Sequence, residues 1–275
     1  MSAASPPPSS PPVPAPPPAS PATVPPAAPP PRPRTGEVHD EGAVRRDSVD
    51  ADRWVARGTV KVTGDVRVGS AQLGGTVSVG GKLTADAFRS QGAFEVDGAV
   101  EVTGLLASSG NLRAESTVHA REGDLRGESH VAGALSVDRM LTVRGSLIAP
   151  SLAVGGLDLE GTAEVPGEVV ALTVTAQFTN RSALGTVRAP SVRLRARVPN
   201  LVEKVFGREM AVTVRRVEAE TAELEGVDVT FVRAPKIILG RDAHLTEYEG
   251  TIVKRHPSSR VGFESRSPRP YGLRR

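Results

Sequence analysis

The chain has 275 residues, of which 39% are hydrophobic and only 3% aromatic, with 34 basic and 31 acidic side chains and a formal charge of +3. So few aromatics require a core of small aliphatics, and the absence of cysteine excludes disulfides, thiolate metal sites and thiol redox chemistry. Acids and bases are intermixed through the middle of the chain, so its weak positive charge does not mark a nucleic-acid binder.

Sixteen of the 24 prolines precede Arg34, in "PPPSSPPVPAPPPASPATVPPAAPPPRPR". Fixed φ angles and missing N–H donors bar helix and sheet there, which predicts a polyproline II tail, either a spacer or a docking strip for a proline-reading protein partner. The start lacks the basic and apolar regions of a secretory signal, and no run reaches the roughly 18 apolar residues of a membrane span, so the expected setting is cytoplasmic. "TGEVHDEGAVRRDSVDADR" is polar, charged and aperiodic. It extends the tail and linker through residues 1–53, with order expected from Trp54.

From Gly58 a beat of six begins, with glycines at 58 and 64, at 74, 80, 92, 98, 104 and 110, at 127, 133 and 145, and at 155, 161, 167 and 185. The phase slips by a few residues between these runs, as loops or bulges inserted into a continuing repeat would cause. Within each beat apolar residues alternate: Val60, Val62, Val66 and Val68; Phe94, Val96, Val100 and Val102; Leu135, Val137, Leu141 and Val143; Leu157 and Leu159. A period of two means strands with one buried face, and Lys61, Arg67, Glu95, Asp97, Glu101 and Asp158 then face water. In "EVVALTVTAQF" the parity changes, making Val170, Leu172, Val174 and Phe178 the expected inward set.

Short strands separated by glycine turns are the grammar of a parallel β-helix, an all-β solenoid whose triangular coils take three hexads, about 18 residues. Coils stack about 4.8 Å apart, so residues 58–198 predict about eight coils and a length of roughly 38 Å. The narrow interior accounts for the missing aromatics. An antiparallel sandwich also alternates, but it calls for turn signals at a longer spacing, roughly every 8 to 12 residues.

The solenoid is thus assigned to residues 54–199. "RVPNLVEKVFGREM" reads as a short helix or loop, and residues 200–253 as further coils or a C-terminal β cap. Residues 254–275 form a basic tail expected to be disordered, able to contact an anionic surface weakly through Lys254, Arg255, Arg260, Arg266, Arg269, Arg274 and Arg275.

No catalytic, metal or cofactor constellation emerges, and no small-molecule substrate is implied. His39, His119, His130, His244 and His256 lack the coil spacing that would stack them, and GxSxG, GxxxxGK[ST] and HExxH are absent. An outward Glu95 and Asp97 pair resembles the carboxylates of polysaccharide-cleaving β-helices but reads more simply as a solvated face. With three hexads to a coil, Arg113 falls beside Glu95 and Glu115 beside Asp97, one pair attracting and one repelling.

A solenoid exposes unpaired backbone at its two ends, which must be capped or will pair with another molecule. Trp54 before the first beat is either a lid or an anchor in such a contact. With Val60 and Val62 at that end, and Phe231 and Ile252 at the other, it makes up the candidate self-assembly set.

"GAFEVDGAVEVTG", flanked by proline-rich and basic tails, resembles the bactofilins, bacterial polymer-forming cytoskeletal proteins, and "VRAPKIILG" followed by "LTEYEG" resembles the end of their longer members. The resemblance covers residues 58–253. It implies a right-handed β-helix, nucleotide-independent homopolymers in the cytoplasm, membrane association through partners, and a scaffold role in cell shape or envelope organisation. Two alternatives stand beside it. A hexapeptide-type β-helical acyltransferase would carry an aliphatic residue directly before each glycine position, where this chain has Asp97 and Thr103. A surface adhesin-like rod would require export.

Overall fold

The computed structural model describes residues 36–197 and 211–264. These contain sixteen strands: β1 (Glu37–Arg46), β2 (Val49–Val62), β3 (Val66–Val79), β4 (Leu83–Val96), β5 (Val100–Ala114), β6 (Val118–Val131), β7 (Leu135–Ile148), β8 (Leu152–Val170), β9 (Thr173–Phe178), β10 (Ser182–Arg188), β11 (Ser191–Ala196), β12 (Val212–Glu218), β13 (Thr221–Glu225), β14 (Asp228–Leu239), β15 (His244–Arg255) and β16 (Arg260–Glu264). No helix occurs among the described residues, and every strand pairing is parallel. The result is a β-solenoid of about 13 turns.

Each strand from β2 to β7 runs around the three faces of a coil. In β2 the inward residues come as three pairs, Val49 and Ala51, Trp54 and Ala56, and Val60 and Val62, with outward residues between and at the corners. Two inward positions per face and a corner residue after them is the six-residue beat. The corner that follows the second face is a ladder of glycines: Gly42, Gly58, Gly75, Gly92, Gly110, Gly127, Gly145 and Gly161 stand in register on successive coils. All eight have positive φ, between 79° and 142°. From Gly58 upward, a Cβ on any of them would collide with the carbonyl oxygen of the glycine one coil below, so sterics and dihedral both demand glycine. The beat of six therefore marks corners, but the positive-φ corner is Gly75, one residue after the expected Gly74. The coils are unequal in length, that from Gly42 to Gly58 being shorter than that from Gly92 to Gly110. The register shifts that absorb the difference recur at one corner, between Ala85 and Phe88, Val102 and Leu105, Ala120 and Gly123, and Val137 and Met140.

The expected inward residues from Val60 to Leu159 are buried, stacked in columns such as Val60, Val77, Phe94, Leu112, Ser129 and Leu147. The interior is nevertheless wider than valine alone requires, because Trp54, Phe88, Phe94 and Phe178 are all fully buried. The large rings fit because small residues are interleaved: in the column Trp54, Ala71, Phe88, Leu106, Gly123, Leu141, Ala71 separates Trp54 from Phe88 and Gly123 separates Leu106 from Leu141. A Cβ on Gly123 would come within 2.7 Å of Leu141 Cδ1.

Three boundaries differ from the sequence reading, and the strands after residue 210 follow the first of its two alternatives, further coils. The first coil begins at Gly36, one turn before Trp54, inside the stretch read as linker. The parity change falls later than expected: Val169 and Ala171 point inward, while Val170 and Leu172 are 43% and 68% exposed, and only from Val174 does the new phase hold. The corner between Ala171 and Val174 carries the extra residue, and alternation by itself does not locate a corner. Beyond the residues 198–210, where the helix or loop was expected and which lie outside the described residues, β12 to β15 continue the coil as stacked strands. Finally β15 runs to Arg255 and β16 adds Arg260–Glu264, so the start of the basic tail is strand. The proline-rich segment and residues 265–275 lie outside the described residues.

Candidate functional site

The sides of the solenoid carry solvated polar rows. Arg113 sits 2.6 Å from Glu115 and 3.8 Å from Glu95, so one guanidinium offsets the repulsion expected between Glu115 and Asp97. Further along, Arg188 pairs with Glu168 and with Glu218 at 2.8 Å, Arg193 and Arg195 flank Glu223 at 2.7 and 2.5 Å, and Arg233 holds Glu249 at 2.7 Å. Partial burial works to raise the pKa of Glu218 and Glu223, and the arginine hydrogen bonds and charges outweigh it, holding both below the ordinary carboxylate range. These ladders link neighbouring coils at the surface, where solvent screens each pair.

His119 is the one histidine with a suggestive setting. Its Nδ1 lies 2.9 Å from Ser136 Oγ and its Nε2 lies 3.8 Å from Asp138 Oδ2, with both His119 and Asp138 more than half exposed. Ser136 Oγ also donates to the Val118 carbonyl at 3.4 Å. An activated nucleophile needs a carboxylate within hydrogen-bond reach to orient the imidazole, and Asp138 stands too far from Nε2 to supply one. His130 stands on a different face, in register with Arg113 and Ile148. Among the described residues no three His, Asp or Glu side chains gather as metal ligands.

The expected self-assembly residues are placed unevenly. Trp54, Val60 and Val62 are buried and covered by β1, whose Val38, Val44 and Arg46 stand over them. Phe231 is on the side, its ring 4.8 Å from the Arg216 guanidinium, with β15 stacked beyond it. Ile252 alone lies on a terminal coil, half-buried above Ile237. Of the two roles considered for Trp54, the structure gives it neither at the surface: it is an interior hydrogen-bond donor.

Among the described residues, the N-terminal end of the core is an ion pair. In β1 the inward positions are Val38, Asp40, Val44 and Arg46, so two of the four are charged. Arg46 Nε donates to Asp40 Oδ1 and Oδ2 at 2.8 and 3.0 Å, Arg46 Nη2 lies 2.6 Å from Oδ1, and Trp54 Nε1 donates to Oδ2 at 2.9 Å. The Asp40 side chain is 1% exposed and that of Arg46 38%. Burial of Asp40 works to raise its pKa, and the hydrogen bonds from Arg46 and Trp54 with the charge of Arg46 outweigh it, leaving the carboxyl below its ordinary value.

The C-terminal end is built differently. β16 covers only His244 to Tyr248 of β15, leaving the remainder of β15 as an outer edge with no strand beyond it among the described residues. Tyr248, Ile252 and Val261 are half-buried against the core, and Val253 and Phe263 are 52% and 72% exposed. Arg255 stands in register with buried Leu239 and turns its guanidinium to the Ser259 carbonyl at 3.1 Å. Among the described residues this end is an apolar patch beside a β15 edge with no strand over it, and the sequence pattern pointed to it through "TEYEGTIV", which contains Ile252. No protein-family model, curated protein or solved structure matches the chain.

Proposed function

We propose that this protein is a non-enzymatic structural scaffold of the bactofilin kind, which associates with copies of itself through an end of its solenoid and needs no nucleotide to do so. The observation that carries the reading is the C-terminal edge: past Tyr248, β15 has no strand over it among the described residues, and Val253 and Phe263 are exposed. Elsewhere among the described residues the coils stack on columns of mostly aliphatic buried residues, and the side rows carry ion pairs. "VRAPKIILG" supplies most of β14 and "LTEYEG" most of the first half of β15, so the segment that resembles the longer bactofilins builds the exposed end. In this reading the protein works in the cytoplasm, with the proline-rich and basic tails contacting partners or an anionic surface. Polymers, as the resemblance implies, need a second contact on each copy.

Sedimentation and electron microscopy of the purified full chain without nucleotide test the proposal. The expected result is association that rises with protein concentration. A single species of protomer mass across concentration and salt contradicts it.

A further inference from the structure

We infer that the side of the solenoid carries a docking notch for an acidic segment of a partner protein, held by Arg57 and Arg89 around Gly74. The notch belongs to a single copy, so it stands apart from the self-association reading and adds a partner to it.

The second face of the coils, that of Trp54 and Ala56, presents two outward columns in register. One passes through Gln72, Arg89, Asp124, Asp158 and Arg193, the other through Arg57, Gly74, Gln91, Arg126, Arg144 and Arg195. Among the described residues these columns hold six arginines, and carboxylates hold four of them: Arg126 lies 2.9 Å from Asp124, Arg144 3.0 Å from Asp158, and Arg193 and Arg195 2.7 and 2.5 Å from Glu223. Arg57 and Arg89 have no acceptor among the described residues, although Glu41 stands next to Arg57 in register. Both are exposed, and both border a gap. Gly74 lies between Arg57 and Gln91 without a side chain, leaving a depression of about 270 Å³ whose walls include Val55, Arg57, Gln72, Arg89 and Gln91. The two arginines stand two coils apart, about 10 Å along the axis.

A guanidinium without an acceptor on an open face recognises carboxylate or phosphate through paired N–H groups. The surroundings favour the carboxylates of a polypeptide. Gln72 and Gln91 offer amides that can meet a peptide backbone, Gln72 already accepting from Arg53 at 3.4 Å and keeping its own N–H donors. Past the notch the arginines of this face are neutralised by their own ion pairs, and before it stands Glu41. A nucleic acid or an anionic membrane laid along the face therefore finds no further unpaired arginine in these columns, and no aromatic ring borders the notch for base stacking. A short acidic segment needs only the two.

The test uses the full chain, which has no cysteine, carrying a fluorophore on Ser109→Cys, an exposed position in register beside Gln91. The label reads the notch and not the basic tail. Poly-L-glutamate should change its emission saturably, and Arg57→Ala with Arg89→Ala should weaken that binding about tenfold or more. Gly74→Glu should weaken it as much. A Cβ there meets nothing closer than the Ala56 carbonyl oxygen at 3.7 Å, so the fold is kept while the new carboxylate occupies the two arginines. Arg193→Ala removes a paired arginine of the same face and should change the affinity less than about twofold. A wild type that gives no response to poly-L-glutamate overturns the proposal, as does a double variant that binds like wild type or an Arg193→Ala loss equal to that of the double variant. Phosphatidylglycerol vesicles and double-stranded DNA form the other arms, and tighter binding of either, lost in the double variant, overturns the occupant. Each copy carries its own notch, so any of these failures leaves the self-association reading standing.

Discussion

The two ends of the solenoid solve the same problem in opposite ways. At the N-terminal end the last inward positions are given to Asp40 and Arg46, which satisfy each other and Trp54, and the core is closed with charge. At the C-terminal end Tyr248, Ile252 and Val261 are half-buried against the core, Arg255 stands over Leu239 with its guanidinium on the Ser259 carbonyl, and Val253 and Phe263 face solvent. A repeat protein requires capping wherever its stacking stops, because each coil supports only its neighbours. An end that is capped is finished, and an end that is not invites a partner. On the function proposed above, the interaction belongs to the C-terminal end, and the N-terminal pair has a structural duty.

The largest expected effect that breaks this contrast is Asp40→Ala. It leaves the Trp54 N–H and the inward Arg46 without an acceptor, and the first coil should lose about 2–3 kcal/mol, read as faster amide exchange over residues 37–46 while later coils exchange as before. Trp54→Phe keeps most of the buried ring but removes one donor to Asp40, and should cost about 1–2 kcal/mol in the same measurement. The pH dependence follows from the same group. The folded pKa of Asp40 lies below its ordinary 3.8, so its contribution is present above that pH and is lost as the pH falls through the lower folded value. Wild-type protection of the first coil should fall in that acidic window, and Asp40→Asn should flatten the change. The smallest effect is expected at the other end, where Val253→Ala should alter protomer thermal stability by less than about 0.5 kcal/mol while weakening association. Equal stability losses at the two ends would erase the contrast.

Most of the coil was legible in the sequence because its grammar is local. "GAFEVDGAVEVTG" states two inward residues per face and a glycine at the turn, and its Phe94, Val96, Val100 and Val102 are all buried. What the alternation does not carry is the number of residues in each corner. That is why the beat points to Gly74 where Gly75 makes the turn, and why it places Val170 and Leu172 inside. Nor does it show which residues sit above and below one another, so the volume alternation that admits Trp54 beside Ala71 emerges only from the register. The first coil was hidden for a more instructive reason. "VHDEGAVRR" does keep the beat, with Val38, Asp40, Gly42, Val44 and Arg46 in their proper places, but two of its inward positions are charged. A cap erases the hydrophobic pattern by which a coil is recognised, so the closing coil looks like linker. Reading one shortened coil back from Gly58 to Gly42, while allowing charge inside, would have found it.

Amide hydrogen exchange of the full chain at low and high protein concentration tests the central claim most directly. The account predicts concentration-dependent protection confined to the C-terminal edge, in residues 249–264, with residues 37–46 unchanged. Protection that appears at residues 37–46, or that appears at neither end as the protein associates, would contradict it.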